Sequence, residues 1–298
     1  MSSLAPRVVL VTRQTELTAL LARHGTRGQV DFYLSSRGQT FDAVEARHSL
    51  QEAAIATAKA AIPADWTFAQ VEREDLNRFL FFPNDIVVAL GQDGLVANLA
   101  KYLTDQPVIG VSPDPGMGEG VLTPHRLRVL PDLLRRTAAG DIDADLRTMV
   151  AADLAGGDSL YAMNELFIGH RSHQSARYDL SFGDQTEFQS SSGIIVSTGT
   201  GLTGWARSIM AATGIAHSFR ATDPAAAFFT REPWPSRSSR ATLRTGEITE
   251  RQTLCVTSRQ NDGGVIFADG IEQDFLSFNW GATATIHVAD KHLRAVRA

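Results

Sequence analysis

The stretch from Asp85 to Leu103 sets a carboxylate where a phosphate would be expected to bind. Ile86–Leu90 is apolar throughout, as a strand buried on both faces is, and from there Leu95, Val96, Leu99 and Leu103 keep helical spacing. Between the two lies Gly91-Gln92-Asp93-Gly94. A strand that feeds a helix through a glycine-rich turn makes an anion site. The unpaired N–H groups of the first helical turn point outward, and glycines let a phosphate approach the backbone. Asp93 conflicts with that, because a carboxylate repels phosphate unless it binds a metal or handles a proton. Phosphoryl transfer reconciles the two; simple N-capping of the helix by Asp93 is the other reading.

Two further clusters carry polar residues in apolar settings. Met163-Asn164-Glu165-Leu166 lies in a strand-like run, Ala162–Ile168. Neighbours in a strand face opposite sides, so one of Asn164 and Glu165 is buried and needs internal partners or a ligand. Gly199-Thr200-Gly201-Leu202-Thr203-Gly204 fits G-x-G-x-x-G, follows the strand Ile194–Ser197 and precedes a helix over Thr203–Ala212, with Asp223 downstream. That completes the dinucleotide fingerprint on paper. A Rossmann unit, however, needs further βαβ units after it, whereas here a loop rich in Pro, Ser and Arg (Pro233–Gly246) and hairpins follow. A Walker A loop is excluded, since none of the three lysines follows a glycine. His170 and His173 have no third ligand cluster and read as loop histidines, so no protein metal site is expected. Asp269-Gly270 reads as a hairpin turn without chemistry.

The elements that must position these residues change along the chain. Residues 7 to 125 alternate strand-like and helix-like segments: Val8–Val11, Thr15–His24, Ala43–Ala61, Ile86–Leu90 and Val108–Val111. That order implies an open, mostly parallel sheet flanked by helices. After a helix over Asp132–Ala139, short alternating runs dominate, among them Tyr178–Phe182, Val265–Phe267 and Thr283–Val288, and read as β-rich. The expected division is an N-terminal α/β domain, residues 1–125, and a β-rich domain, 126–298, whose end returns to pack on the first.

A hydrophobic content of 43% with 20% charged residues is that of a soluble globular chain, and 298 residues suffice for two cores. The net charge of −5 gives no general attraction to nucleic acid or anionic membrane, so neither is an expected partner. Only Lys59, Lys101 and Lys291 are lysines among 28 basic residues, which leaves arginine, metal and backbone to meet phosphates. Cys255 is the single cysteine, so no internal disulfide forms and a reducing, cytoplasmic setting is expected.

Taken together, Gly91-Gln92-Asp93-Gly94, the run Ala162–Ile168 and the segment from Ser192 to Trp205 resemble, in order and spacing, the motifs of the NAD kinases. The similarity looks closest to the branch that includes the mitochondrial enzyme, with which the chain shares Asn-Glu-x-Phe-Ile-Gly, Ser-Ser-Gly, Thr-Gly-Thr-Gly and an Arg-Glu-Pro like Arg231-Glu232-Pro233. The resemblance spans nearly the whole chain. It implies ATP-dependent phosphorylation of the adenosine ribose 2′-hydroxyl of NAD, with Mg²⁺, on a scaffold of an α/β and a β-rich domain with the site between them. It further implies a homodimer or homotetramer. Carried over by motif position, Asp93 accepts the ribose proton, while Gly91, Gln92 and Gly94 face the phosphates, Gly94 also lying against substrate. Asn164 and Glu165 hold NAD by ribose and adenine contacts. Thr200, Gly201 and Thr203 lie against the adenosine end, with Trp205 at the family's usual aromatic position.

The chain also departs from the family. Its turn is usually Gly-Gly-Asp-Gly-Thr; here Gln92 replaces the second glycine and Leu95 the threonine. Leu202 stands where many members have Ser, and Ser192 where many bacterial members have an acidic residue. A side chain at 92 is expected to block close phosphate approach or to demand a different backbone angle. Two other functions stay open from these departures: a kinase of the same superfamily acting on a sugar or lipid hydroxyl, and an NAD-binding regulator without catalysis.

Overall fold

The apolar runs near the N-terminus pair side by side. In the computed structural model, β1 (Arg7–Thr12), β2 (Thr67–Glu72), β3 (Ile86–Leu90) and β4 (Pro107–Ser112) form a parallel sheet in the order β2–β1–β3–β4, with the short β5 (His125–Arg126) paired to β4. The structure describes residues 5–113 and 120–297. Every residue of β3 is buried, as is β1 beyond Arg7, which is why these strands lack period-two alternation. The helices α1 (Glu16–His24), α2 (Arg27–Ser35) and α3 (Phe41–Ala60) begin at Thr15, Thr26 and Thr40. Each threonine hydroxyl accepts a hydrogen bond from a first-turn N–H, offsetting one of the unpaired donors of the helix start. Ala54, Ile55 and Ala58 of α3 pack with Leu130, Leu133 and Leu134 of a later helix against Val8, Leu10, Ile86 and Val88. That later helix is α5 (Leu130–Ala139), with Pro131 in its first turn and left-handed Gly140 closing it; α4 spans Asp93–Ala100.

The chain divides into two units, residues 1–144 with 294–298, and residues 145–293. The second unit is antiparallel. One sheet, built from β8 (Glu165–His170), β11 (Ile194–Thr198), β12 (Ala225–Thr230), β13 (Thr245–Thr249), β15 (Gly264–Ala268) and β16 (Ile271–Ser277), runs β13–β12–β11–β8–β15–β16. Facing it are β9 (Ala176–Phe182), β10 (Gln185–Ser191), β14 (Leu254–Ser258) and the first part of β17 (Thr283–Val296), in the order β10–β9–β14–β17, with the paired strands β6 (Ala144–Leu154) and β7 (Ser159–Ala162). Tyr178, Leu180, Val256 and Ile286 from one sheet and Leu166, Ile168, Val196 and Phe228 from the other are fully buried in one core. The last residues of β17 belong to the first unit, where Arg294 and Ala295 pair in parallel with Pro107 and Val108 of β4.

The expected mixture of a parallel α/β part and a β-rich part is therefore present, with two local corrections. Ala162–Ile168 is not one strand: β7 ends at Ala162, Met163 and Asn164 form a bend, and β8 starts at Glu165. The opposite-faces reasoning for Asn164 and Glu165 therefore fails, and both are half-buried. The helix expected over Thr203–Ala212 is α6 (Trp205–Thr213), preceded by a single 3-10 turn over Gly201–Thr203. The Rossmann reading, set aside in the sequence for want of further βαβ units, fails in the structure on strand direction. The strand before Gly199, β11, is antiparallel to both of its neighbours, whereas a dinucleotide fold needs it parallel. Among the described residues no helix is long and apolar enough to cross a membrane.

Candidate functional site

In the first unit, β3 ends at Leu90 and the chain turns through Gly91, whose N–H donates to the Val111 carbonyl at 3.0 Å. The N-cap of α4 is Gln92, not Asp93, and it makes no side-chain cap. Gln92 has φ −95° and ψ 167°, extended backbone open to any residue, so the expected demand for a different backbone angle does not arise. Its side chain is exposed. Space around a Cβ at position 94 is open, which leaves the backbone there accessible. Leu95 is buried and covers Gly91.

Asp93 does something the turn alone does not reveal. Its Oδ1 accepts from the Leu122 N–H (3.0 Å), the Thr123 N–H (3.0 Å) and the Thr123 hydroxyl (2.9 Å), and its Oδ2 from the Val121 N–H at 2.8 Å. The segment Gly120–Thr123 is thereby wrapped around one carboxylate. A Cβ at Gly120 would lie 2.2 Å from Asp93 Oδ1, so only glycine fits there. The simple N-cap reading of Asp93 is thus replaced by a bridge between the start of α4 and a segment 28 to 30 residues later. Among the described residues Oδ1 accepts from three donors and Oδ2 from one, so Oδ2 keeps room for another contact.

The second unit joins the other two motifs. The Thr198 N–H donates to the Asn164 carbonyl at 2.9 Å, and the Thr198 hydroxyl to the Met163 carbonyl at 2.7 Å while accepting from the Gly201 N–H at 3.2 Å. A Cβ at Gly201 would stand 2.1 Å from the Asn164 carbonyl oxygen, and one at Gly199 2.2 Å from the Arg220 carbonyl oxygen. The glycines of the Thr-Gly-Thr-Gly run are therefore required by close backbone approach. Thr203 turns its hydroxyl back to the Thr200 carbonyl at 2.9 Å. The Thr200 hydroxyl is buried and has no hydrogen-bond partner among the described residues. Trp205 stacks on Phe167 with ring centroids 6.2 Å apart, Phe167 on Phe267 at 4.7 Å, and the Arg231 guanidinium lies 5.1 Å from the Trp205 ring centre. Arg231 and Trp205 are thus brought together across 26 residues, and Glu232 beside them has a positive φ of 40°.

Asp269 is the residue that sequence reasoning missed. It does form the expected turn between β15 and β16, with φ 52°, a left-handed conformation that Asp tolerates better than most residues. Its carboxylate, however, accepts from the N–H groups of Met163 (2.9 Å), Asn164 (2.7 Å) and Glu165 (3.2 Å). Its own N–H donates to the Glu165 carbonyl at 3.0 Å. The turn expected at Asp269-Gly270 is present, and it also holds the Asn-Glu bend, a role the sequence did not reveal. Burial, and then the Asp269 charge, push the Glu165 carboxyl up to about 7. Neither the Asn164 amide nor the Glu165 carboxyl has a hydrogen-bond partner among the described residues. A bend fixed by its backbone therefore presents an amide, a carboxyl and the nearby Thr200 hydroxyl with hydrogen-bonding capacity unused, and polar groups so placed are ordinarily satisfied by a ligand or water.

His170 and His173 do not form a metal pair with a third ligand. His170 Nδ1 accepts from the Ser172 N–H at 3.1 Å, and among the described residues no three His, Cys, Asp or Glu side chains gather to hold an ion.

No protein-family model matches the chain, and no curated protein does. Solved structures do match. Yeast NADH kinase complexed with NADH shares 13% identity over 99% of this chain and 84% of that one, with a TM-score of 0.63. An NAD kinase from Archaeoglobus fulgidus in complex with ATP shares 15% identity over 98% of this chain and 93% of that one, with a TM-score of 0.58. The chain has the fold of these kinases along essentially its whole length.

Proposed function

We propose that this protein transfers the γ-phosphoryl group of ATP to the adenosine ribose 2′-hydroxyl of NAD, giving NADP and ADP. The observation that carries the reading is the assembly of Asn164, Glu165 and Thr200 at one backbone junction, with polar side-chain groups that the protein leaves unused, in a chain with the fold of kinases solved with NADH and ATP. In the reaction the 2′-oxygen bonds to phosphorus, the bond from phosphorus to the ADP oxygen breaks, and the hydroxyl proton leaves. Such transfer needs positioning and charge neutralisation more than a strong base.

Asn164 and Glu165 take the dinucleotide through ribose and adenine contacts, and Thr200, Gly201, Thr203 and Trp205 line its adenosine end. The backbone of Gly91, Gln92 and Gly94 takes phosphate. Asp93 orients the acceptor hydroxyl through Oδ2, the carboxylate oxygen with lone-pair room left. Mg²⁺ bound with ATP would neutralise phosphate charge, and the Asp93 carboxylate would help to hold it.

The test is incubation of purified protein with ATP, Mg²⁺ and either NAD or NADH, following NADP or NADPH by enzymatic cycling, with sugar and lipid alcohols as control acceptors. A second reading, a regulator that binds NAD without transferring phosphate, is favoured by one observation, the four donors that already engage Asp93. Calorimetric NAD binding with no product in any combination would select it.

Because position 92 has ordinary extended backbone and an exposed side chain, Gln92→Gly should change stability by no more than about 1 kcal/mol. NADP formation should be equal or higher, since the change clears the phosphate approach. A large loss of turnover at unchanged melting temperature would mean that the Gln92 side chain makes a contact of its own with donor or acceptor.

A further inference from the structure

The carboxyl groups of Asp269, on the β15–β16 turn, and Glu165 meet at one bend, and they are not equivalent. The Asp269 carboxylate accepts from three main-chain N–H groups. Glu165 has no such donors among the described residues, and burial makes its charged form unfavourable. The charge acting on it from a neighbouring element is Asp269, on the β15–β16 turn; the strand paired with it, β11, sets the uncharged Ser197 opposite. Burial and the neighbouring Asp269 charge therefore favour the protonated form of Glu165. An arriving dinucleotide adds pyrophosphate charge and strips the remaining water from Glu165, and both effects favour the neutral acid further.

We infer that Asp269 is a positioning residue of the nucleotide site: it fixes the Met163–Glu165 bend through three amides and keeps the proton on Glu165, so that NAD is bound by a neutral Glu165 able to donate a hydrogen bond. The inference rests on the NAD-binding reading above. It has a consequence that a merely structural Asp269 lacks. The Glu165 carboxyl is raised to about 7, so if the neutral form binds, affinity must fall as pH rises through that value. Binding by the neutral acid alone predicts a fall of about tenfold between pH 6 and pH 8.

The experiment has two arms, each on the full chain. In the first, the Glu165 carboxyl is titrated by ¹³C NMR without nucleotide in the parent and in Asp269→Asn, chosen because Asn tolerates the left-handed backbone. A midpoint near neutrality that moves to lower pH in the variant supports the inference. A midpoint at the ordinary glutamate value, or one that Asp269→Asn leaves in place, overturns it. In the second arm, NAD and NADH binding are measured by calorimetry from pH 5.5 to 8.5 in the parent, Asp269→Asn and Glu165→Gln. The expected result is a tenfold fall in the parent, a fall displaced to lower pH in Asp269→Asn, and a flat profile in Glu165→Gln whatever its absolute affinity. A parent affinity that is flat or rises with pH overturns the inference while leaving NAD binding established. If the parent binds neither nucleotide at any pH, the functional reading fails, and the first arm still decides what Asp269 does to Glu165.

Discussion

Asp93→Asn is expected to reduce NADP formation by about 100-fold or more, the lower end of what positioned proton-handling groups contribute. In the proposed reaction Asp93 sets a negative oxygen beside the acceptor hydroxyl, and Asn supplies none. Size and helix position are retained, which on sequence grounds alone suggests an unchanged fold. The hydrogen bonds modify that expectation. Asn has one acceptor oxygen where Asp93 uses two, so turning that oxygen to Leu122 and Thr123 sets its NH₂ against the Val121 N–H. Leaving that donor unmet costs about 1–3 kcal/mol, so the melting temperature should fall as well. Thr123→Val separates the two effects. It removes the 2.9 Å hydroxyl contact to Oδ1 but keeps the carboxylate charge, so stability should fall modestly while turnover stays within a few-fold of the parent. Comparable turnover losses in both variants, scaling with lost stability, would reduce Asp93 to a clasp for Gly120–Thr123.

Asn164→Ala should weaken NAD binding by roughly ten- to a hundredfold, the equivalent of about 1–3 kcal/mol for a lost polar ligand contact. Here the structure sharpens the expectation. The N–H of Asn164 is held by Asp269 and its carbonyl by Thr198, so the bend is secured by main-chain groups that alanine keeps. The side-chain amide has no protein partner among the described residues. Truncation should therefore leave the melting temperature nearly unchanged while the dissociation constant rises, as read by calorimetry against thermal unfolding. An unchanged dissociation constant with a lower melting temperature would make Asn164 structural. Gly201→Ala makes a useful contrast, since its Cβ would press on the Asn164 carbonyl at 2.1 Å; it should damage folding and binding together.

What could be read from the chain alone were features whose causes are local. The parallel strands β1, β3 and β4 declare themselves as continuous apolar runs, because burial on both faces leaves no position for a polar residue. Helices α1 and α3 show in spacing and propensity, and Thr15 and Thr40 cap them from adjacent positions. The order of the three motifs was visible for the same reason, being a property of the string. Tertiary structure alone decided the rest. That Asp93 gathers the N–H groups of residues 121–123, and that Asp269 holds those of 163–165 from 104 to 106 residues away, follows from which loops the sheets set side by side. An aspartate before a glycine has the same signature whether its carboxylate meets water or three buried amides. The break of one apolar run into β7, a bend and β8 was equally invisible, because hydrophobicity reports burial, whereas a bend depends on partners elsewhere: here Asp269 for the amides and Thr198 for the carbonyls. The raised Glu165 carboxyl is the furthest from the sequence, since it needs both the burial of that group and the charge of Asp269, which only the folded chain brings to the same bend.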